Sequence, residues 1–276
     1  MTRGLHTMTI EAGHPYGTVR LGAVVIAVSF AALVLLGASG PAVASSSASG
    51  SGSGSASAST IVAEARVAMA RAGSVSAHGT GTTTLPGVGR ATLTETDYAG
   101  TTSGSQMVSM TSPDAGPASL PSATTVDVSG DVYVNANSPF WTATVGMGPT
   151  PAARIAGQWV RIPAGSPVHV SAAADLTMPS LIHDMFHAKR YHRAAVLTVD
   201  GVRVVAVTYQ NTGNDSGPVT CDLALGGSHL PVFVTIGGLS LHLGSWGRTQ
   251  PLAAPAGAVP LPNLNPSAAS GLPVVA

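Results

Sequence analysis

The sequence predicts an α+β fold in which a few helices cover one long, curved antiparallel β-sheet. Many short runs of alternating character, rich in Val, Thr and Ser, are separated by turn residues, which is typical of antiparallel strands. Two segments also show the spacing of amphipathic helices. The runs amount to about ten strands, and a sheet of that length tends to curl or close, with helices over one face or one mouth.

The first element is a short amphipathic helix that follows Thr60, a residue type that caps helix N-termini. Gly73 stands where a glycine commonly ends a helix. The apolar residues between them recur at helical spacing: Ile61, Ala65, Ala68, Met69 and Ala72. This pattern predicts one helix between residues 60 and 73.

An antiparallel meander is predicted next. Its alternating runs cover about residues 75–85, 89–99, 105–112 and 122–136. Pro86-Gly87 and Ser112-Pro113-Asp114 supply turns between the runs, and a tight Ser129-Gly130-Asp131 connection divides the last run into two strands. Residues 149–157 are predicted to form one or two helical turns, and Trp159 lies in a further strand.

The second half of the folded unit repeats this scheme. A helix is predicted from Pro179 to Lys189, because Pro is suited to a first helical turn. Asp200-Gly201 lies between two apolar runs and predicts a hairpin of residues 195–199 and 202–210. Further strands are predicted over residues 217–225, 231–236 and 239–246.

The N-terminal segment has the pattern of a secretory signal. Leu21 to Ala38 is uncharged and mostly apolar, Arg20 precedes it, and Ala42-Val43-Ala44 offers a small-x-small cleavage site. The run is also long enough for a membrane-spanning helix, so an uncleaved anchor is the alternative. Residues 1–44 are therefore predicted to be a signal peptide or a membrane anchor, which places the protein outside the cytoplasm, either secreted or held at the cell membrane.

The remaining boundaries follow from composition. Residues 45–59 are a Ser/Gly/Ala linker, which has nothing to bury and should behave as a flexible tether. Residues 251–276 are rich in Pro and Ala and are predicted to be a disordered tail. The folded domain is predicted over residues 60–250, within the usual size of a single domain.

Charge and cysteine content exclude several classes of protein. Charged residues make up 9% of the chain and the net charge is +0, so nothing indicates a nucleic-acid partner. Cys221 is the single cysteine, and an intramolecular disulfide is therefore impossible. Its neighbours indicate a strand, where an inert thiol is expected; a reactive or intermolecularly paired thiol is the alternative.

Candidate catalytic and metal sites have simpler interpretations. His183 and His187 lie four residues apart on one helix face and could bind a metal, but an amphipathic helix with a hydrated histidine face explains them. No Gly-x-Ser-x-Gly elbow with an acid and a histidine in order occurs in the folded unit. A solvated sheet face explains the acidic residues Glu95, Asp97, Asp127 and Asp131. We therefore predict a protein that is not an enzyme and uses no cofactor and no metal.

Several short motifs, in this order, resemble the exported lipid- and lipoprotein-carrier family of LolA, LolB and the mycobacterial LppX/LprG lipoproteins, particularly its actinobacterial members. The resemblance covers about residues 60–250. Its motifs are Gly73–Gly81, Gly130–Val134, Phe140-Trp141, Gly157–Pro163, Val199–Val205 and Leu230-Pro231-Val232. The chain differs from the LppX/LprG pattern because it lacks the lipidated cysteine.

This resemblance implies a half-open barrel around an apolar cavity that binds lipid or an acylated partner, in a protein of envelope lipid transport. Partners at the cytoplasmic membrane, including a membrane protein, are expected with it. Ordinary core packing is the alternative for the large apolar residues. A membrane-anchored surface or sensor domain that binds a protein without lipid cargo is the alternative function. The candidate cavity residues are Phe140, Trp141, Met147, Trp159, Leu181, Ile182, Met185, Phe186 and Trp246.

Overall fold

A computed structural model describes residues 56–85, 88–116, 119–165, 167–173, 175–211, 218–227 and 229–261. Its helices are α1 Ala58–Ala72, α2 Ser138–Ala143, α3 Pro149–Ile155, α4 Pro167–Ala173 and α5 Met178–Met185. Its strands are β1 Val75–Leu85, β2 Gly89–Ala99, β3 Ser103–Thr111, β4 Ser122–Val128, β5 Asp131–Ala136, β6 Trp159–Ile162, β7 Ala188–Val199, β8 Val202–Asn211, β9 Val219–Ala224, β10 Pro231–Ile236, β11 Leu239–Gly244 and β12 Val259–Pro260. The signal or anchor segment 1–44, the linker up to residue 55, and residues 262–276 lie outside the described residues.

The described strands form one sheet in the order β12-β6-β5-β4-β3-β2-β1-β11-β10-β9-β8-β7. Every pairing is antiparallel except that of β12 with β6, which is parallel. The sheet curves but does not close, so β12 and β7 are its edges. The predicted α+β class and curved, half-open sheet are confirmed, with twelve described strands instead of about ten.

The edge strand β7 is long and exposed along most of its length. Two irregularities in its pairing with β8 lie between Ala188 and Tyr191 and between Arg193 and Val196. Val196 and Leu197 are 43% and 46% exposed. The predicted hairpin at Asp200-Gly201 is confirmed, with β7 beginning at Ala188 instead of residue 195.

Helix α1 begins earlier than predicted. Ser57, and not Thr60, is the N-cap: its side chain accepts a hydrogen bond from the backbone N–H of Thr60 at 3.1 Å. Ser57 lies in the Ser/Gly/Ala segment, where the many neighbouring serines make the capping residue hard to identify from the sequence. Gly73 ends the helix as predicted, with φ at 70°, a conformation that glycine adopts without strain.

Helix α5 ends earlier than predicted, at Met185 instead of Lys189. The Tyr191 hydroxyl donates to the carbonyl oxygen of Phe186 at 2.7 Å, which satisfies a carbonyl at the helix end. Lys189 consequently lies in β7. At the other end of the helix, Pro179 lies in the first turn as predicted.

The segment after β11 is partly ordered, in contrast to the predicted disorder from residue 251. The backbone N–H of Gln250 donates to the Tyr98 hydroxyl at 2.9 Å. Val259 then pairs with Val160 of β6, and Leu261 packs against the apolar residues beside it. Pairing with an otherwise open sheet edge explains this order, because it satisfies backbone groups that composition alone does not reveal.

The concave face of the sheet carries two separate apolar clusters. The first core joins the sheet to α1 and α5, and α1 also contacts β7; it includes Ile61, Met69, Val75, Leu93, Val108, Leu181, Met185, Phe186, Val205, Leu223, Val234 and Leu241. The second core lies beneath α2 and α3; it comprises Ala123, Val132, Val134, Ala136, Trp141, Val145, Met147, Ala152, Ile155, Val160 and Ile162. One half of the sheet is therefore covered by α1 and α5 and the other by the short helices α2 and α3.

A short strap, residues 175–178, crosses the end of the β2–β3 hairpin and leads into α5. The backbone N–H of Met178 donates to the carbonyl of Gly100 at 2.7 Å. Gly104 lies directly beneath the strap, and a Cβ at this position would overlap the carbonyl oxygen of Leu176. Glycine at 104 thus lets the strap contact the sheet backbone, which fixes where α5 begins.

We expect Gly104→Ala to lower the free energy of unfolding by about 1–3 kcal/mol or more, because the added methyl group forces the strap away from the sheet. Urea unfolding followed by tryptophan fluorescence measures the change. Gly116→Ala is the control, since no described atom lies within 4 Å of a Cβ built there. Equal losses in the two variants would contradict this role for Gly104.

Candidate binding cavity

Two acidic residues of β2 face the inside of the protein. Residues 91, 93, 95, 97 and 99 of β2 alternate as the buried set, so Glu95 and Asp97 share the concave face with Leu93 and Ala99. Glu95 is 0% exposed and Asp97 is 9% exposed. The prediction of a solvated sheet face is therefore wrong for these two residues, which are in phase with the apolar positions of their strand, and it is also wrong for Asp127, which is buried on β4.

These carboxyls belong to a polar band that separates the two cores. Asp97 pairs with Gln106 of β3, and Gln106 pairs with Thr125 of β4. Asp127, also buried, lies two residues further along β4. Directly opposite residues of an antiparallel pair share a face, so the band crosses three neighbouring strands. Asp127 accepts a hydrogen bond from the Gly130 N–H at 2.7 Å, while Asp131 at the surface pairs with Arg161.

The hydrogen bonding of the carboxyl pair is incomplete. Gln106 Nε2 donates to Glu95 Oε1 at 2.8 Å. Glu95 and Asp97 share a side-chain hydrogen bond, which requires a proton on one of them, and Gln106 also bonds to Asp97. Beyond these contacts, Glu95 Oε2 and the carboxyl oxygens of Asp97 have no partner among the described residues. Such atoms are rare in folded proteins, and each one indicates strain, a function or an additional binding partner.

Burial keeps these groups protonated. Desolvation raises the pKa of Glu95 well above its usual value, and the neighbouring charge of Asp97 raises it further. Desolvation also raises the pKa of Asp97 to about 8. No basic side chain contributes to either shift, so the uncharged forms predominate at neutral pH.

Asp97 lines a small cavity between the sheet and α5. The cavity has a volume of about 30 Å³, enough for about two water molecules. Small-molecule sites commonly measure hundreds of Å³. This cavity is much smaller, because the side chains of the first core fill most of the space beneath α5. Its lining residues are Val75, Ala77, Asp97, Ala99, Asp175, Leu181, Met185, Val234, Leu241 and Leu243.

The nine predicted cavity residues lie in different places. Leu181 and Met185 line the cavity. Phe186 belongs to the first core, and Ile182 and Trp246 pack against it. The second core contains Trp141 and Met147, with Phe140 packed against it. Trp159 is half-buried on β6.

The aromatic pair Phe140-Trp141 thus belongs to the second core and does not line the cavity. Trp141 is fully buried and donates its ring N–H to the carbonyl of Ala136 at 3.2 Å. Phe140 packs edge-on against it. Sequence reasoning did not identify Asp97 and Asp175 as cavity residues, nor Glu95 as buried beside Asp97, although the phase of Leu93 and Ala99 was a usable signal for the two residues of β2.

The histidine face of α5 is partly as predicted. His183 is exposed while Leu181 and Met185 are buried, and the rings of His183 and His187 are 4.8 Å apart. Asp184, expected beside the hydrated face, is buried. Within the part of the chain that the structure describes, no three His, Cys, Asp or Glu residues are grouped so as to hold a metal ion.

Among the described helices, none combines the length and apolar character needed to cross a membrane.

No family model matches the chain, and no curated protein matches it. Solved structures with a similar fold include LprF from Mycobacterium bovis, with 15% identity, 72% of this chain and 97% of that chain covered, and a TM-score of 0.40. LppX from Mycobacterium tuberculosis has 16% identity, coverage of 71% and 99%, and a TM-score of 0.39. A LolA superfamily protein from Nitrosomonas europaea has 11% identity, coverage of 71% and 96%, and a TM-score of 0.27. These are the groups that the sequence motifs resemble.

Cys221 lies in the first core on β9, between Val207 of β8 and Val234 of β10. It is fully buried, and burial raises the pKa of its thiol far above the usual value. The predicted strand setting is confirmed. The thiolate is the reactive form of cysteine, so the burial of Cys221 and the raised pKa of its thiol both make it unreactive.

We expect Cys221 in the native protein to react with a thiol reagent such as DTNB only through unfolding, hence very slowly at neutral pH. In denaturing urea, one equivalent should react at the rate of a model thiol. The absorbance of the released thionitrobenzoate measures both rates. Rapid labelling without denaturant would contradict a structural role and favour the reactive alternative.

The free energy of unfolding should fall as pH rises from about 4 to 8, because the folded state holds the Asp97 proton that the unfolded state has already lost. Asp97→Asn removes this charge at nearly constant shape. We expect it to flatten the decline and to stabilise the protein at pH 8 by a few kcal/mol. Urea midpoints at pH 5, 6.5 and 8 provide the measurement, with exposed Asp114→Asn as control. An unchanged slope in Asp97→Asn would refute the assignment.

Proposed function

We propose that this protein binds an acyl chain or an acylated partner between the concave face of the sheet and helix α5, without catalysing a reaction on it. The observation that carries the proposal is the cavity beneath α5, whose walls are mostly aliphatic. Its lining residues include no Ser, Cys, His or Lys. The lining therefore suits an apolar ligand, with Asp97 and Asp175 as its polar members.

Ligand entry requires α5 to move or its side chains to rearrange. Leu181 and Met185 project from α5 into the space that an acyl chain would occupy. Methionine adapts to irregular apolar surroundings, so Met185 can repack against a ligand at little cost. Each acyl methylene that is buried contributes about 0.8 kcal/mol, and a chain of medium length could thereby offset the loss of contacts between α5 and the sheet.

The proposal extends to the cell envelope. The predicted signal or anchor segment supports a location outside the cytoplasm, secreted or at the cell membrane. A lipid-binding protein in that location would exchange its ligand with the membrane or with a membrane protein. Envelope lipid transport is the role that fits both properties.

A second candidate is a surface or sensor domain that binds a protein and keeps its interior filled. The cavity volume of about 30 Å³ favours this alternative, since ligand sites usually exceed several hundred Å³. The exposed edge strand β7 offers backbone groups for pairing with an extended segment of a partner. The two functions differ in one observable property, which is whether lipid occupies the interior.

Native mass spectrometry of the full chain, expressed in an actinobacterial host and purified without detergent, tests the proposal. We expect discrete added mass that solvent extraction recovers as lipid. Ala77→Leu, which fills the cavity from the sheet side, should raise the Kd for lipid about ten-fold, the effect of about 1.4 kcal/mol, and thereby lower the bound fraction. Thr80→Leu, on the exposed face of the same strand, should leave it unchanged.

An apo mass in the wild-type protein, with no uptake of added monoacylglycerol, would favour the protein-binding alternative. Equal lipid loss in Ala77→Leu and Thr80→Leu would place the ligand elsewhere on the molecule. Circular dichroism of both variants separates lost binding from lost folding.

A further inference from the structure

The buried carboxyl pair of β2 is bonded only within itself and to Gln106, which leaves part of its hydrogen-bonding capacity unused. Asp97 is nine-tenths buried, lines the cavity, and has no partner among the described residues beyond Glu95 and Gln106. Glu95 beside it is fully buried. Incompletely bonded polar groups in an apolar interior destabilise a fold. A ligand group that bonds to them would remove this cost.

The surroundings determine which ligand group is suitable. The titratable groups at this end of the cavity are Glu95, Asp97 and Asp175, and the residues of β1, β10, β11 and α5 that line it are apolar. No basic side chain contributes to the electrostatics of Glu95 or Asp97. Carboxyl groups without a cation remain protonated, and a protonated carboxyl donates one hydrogen bond.

An uncharged acceptor oxygen matches a protonated carboxyl best. An anionic headgroup would lie beside three acidic groups, and any of these groups that is ionised would repel it. A cationic headgroup would require at least one carboxyl to lose its proton in an apolar site. The carbonyl oxygen of an ester accepts a hydrogen bond without either cost and is joined directly to an acyl chain.

We infer that Glu95 and Asp97 are the polar end of the acyl site and that Asp97 donates a hydrogen bond to the ester carbonyl of a neutral acyl ester. This inference rests on the proposed acyl binding and names its ligand class. The acyl chain lies among Ala77, Leu181 and Leu243, and the ester lies at Asp97, next to the strap. Glu95 accepts a hydrogen bond from Gln106 at 2.8 Å and positions Asp97 through the side-chain hydrogen bond that the two carboxyls share.

Isothermal titration calorimetry of the full chain with three probes of equal chain length tests this inference. The probes are monodecanoylglycerol, decylamine and decanoate, each at pH 6 and pH 9.5. We expect monodecanoylglycerol to bind at least about ten-fold more tightly than either charged probe at pH 6. Its affinity should fall about ten-fold at pH 9.5, where Asp97, with a pKa of about 8, is ionised.

Three variants assign the effect to the carboxyl. Asp97→Asn keeps a donor but cannot ionise, so it should bind the ester at both pH values with most of the pH dependence lost. Asp97→Val keeps the shape without a donor and should lose about ten-fold at pH 6. If Asp97→Val does not fold, Glu95→Gln provides the second test, with a reduced pH dependence expected. Asp114→Asn is the control and should behave as the wild-type protein.

The outcomes separate this inference from the proposed function. Tighter binding of decylamine, or affinity that rises with pH, would show a cation site and overturn the inference alone. Equal ester binding by the wild-type protein and Asp97→Val would likewise leave acyl binding intact, but it would show that Asp97 does not bind the ester. Failure of all three probes to bind would overturn both.

Discussion

The contact between Gly104 and the carbonyl of Leu176 sets the geometry of the candidate site. Because no side chain separates them, the strap lies directly against the end of the β2–β3 hairpin. Its first residue, Asp175, is thereby brought to the carboxyls of β2, and its last, Met178, begins α5 over the first core. The position of the cavity and the nature of its polar end therefore follow from one backbone-to-backbone approach that a methyl group would prevent.

The polar band explains why one sheet supports two cores. Apolar side chains alone would favour a single continuous cluster on the concave face. Glu95, Gln106 and Thr125 interrupt that cluster in the middle of the sheet. The short helices α2 and α3 then cover one side while α1 and α5 cover the other. A ligand that entered beneath α5 would therefore leave the aromatic core around Trp141 undisturbed.

Most helices and strands could be predicted from short stretches of sequence, because the residues that define each one lie next to each other in the chain. Period-two alternation located β1 and β2 with their exact bounds, and Asp200-Gly201 located the hairpin of β7 and β8. The site was not predictable in the same way. Glu95 and Asp97 are acidic residues, yet they are buried because they lie on the same face of β2 as Leu93. Only this alternation along the strand reveals their burial. Whether Trp141 and Leu181 share a cavity depends on strand order across the sheet, which no short segment encodes. The pairing of β12 with β6 is equally non-local.

The open edge at β7 bears on how the protein behaves at high concentration. A strand of this length with one unpaired edge is a template for adding another chain, and stacked copies would form fibres. Lys189, Arg190 and Arg193 lie along it and are exposed, so two such edges approaching each other repel. The irregular pairing near Tyr191 and Val196 also twists the strand away from the flat geometry that stacking requires. A half-open barrel can thus retain an exposed sheet edge without promoting its own aggregation.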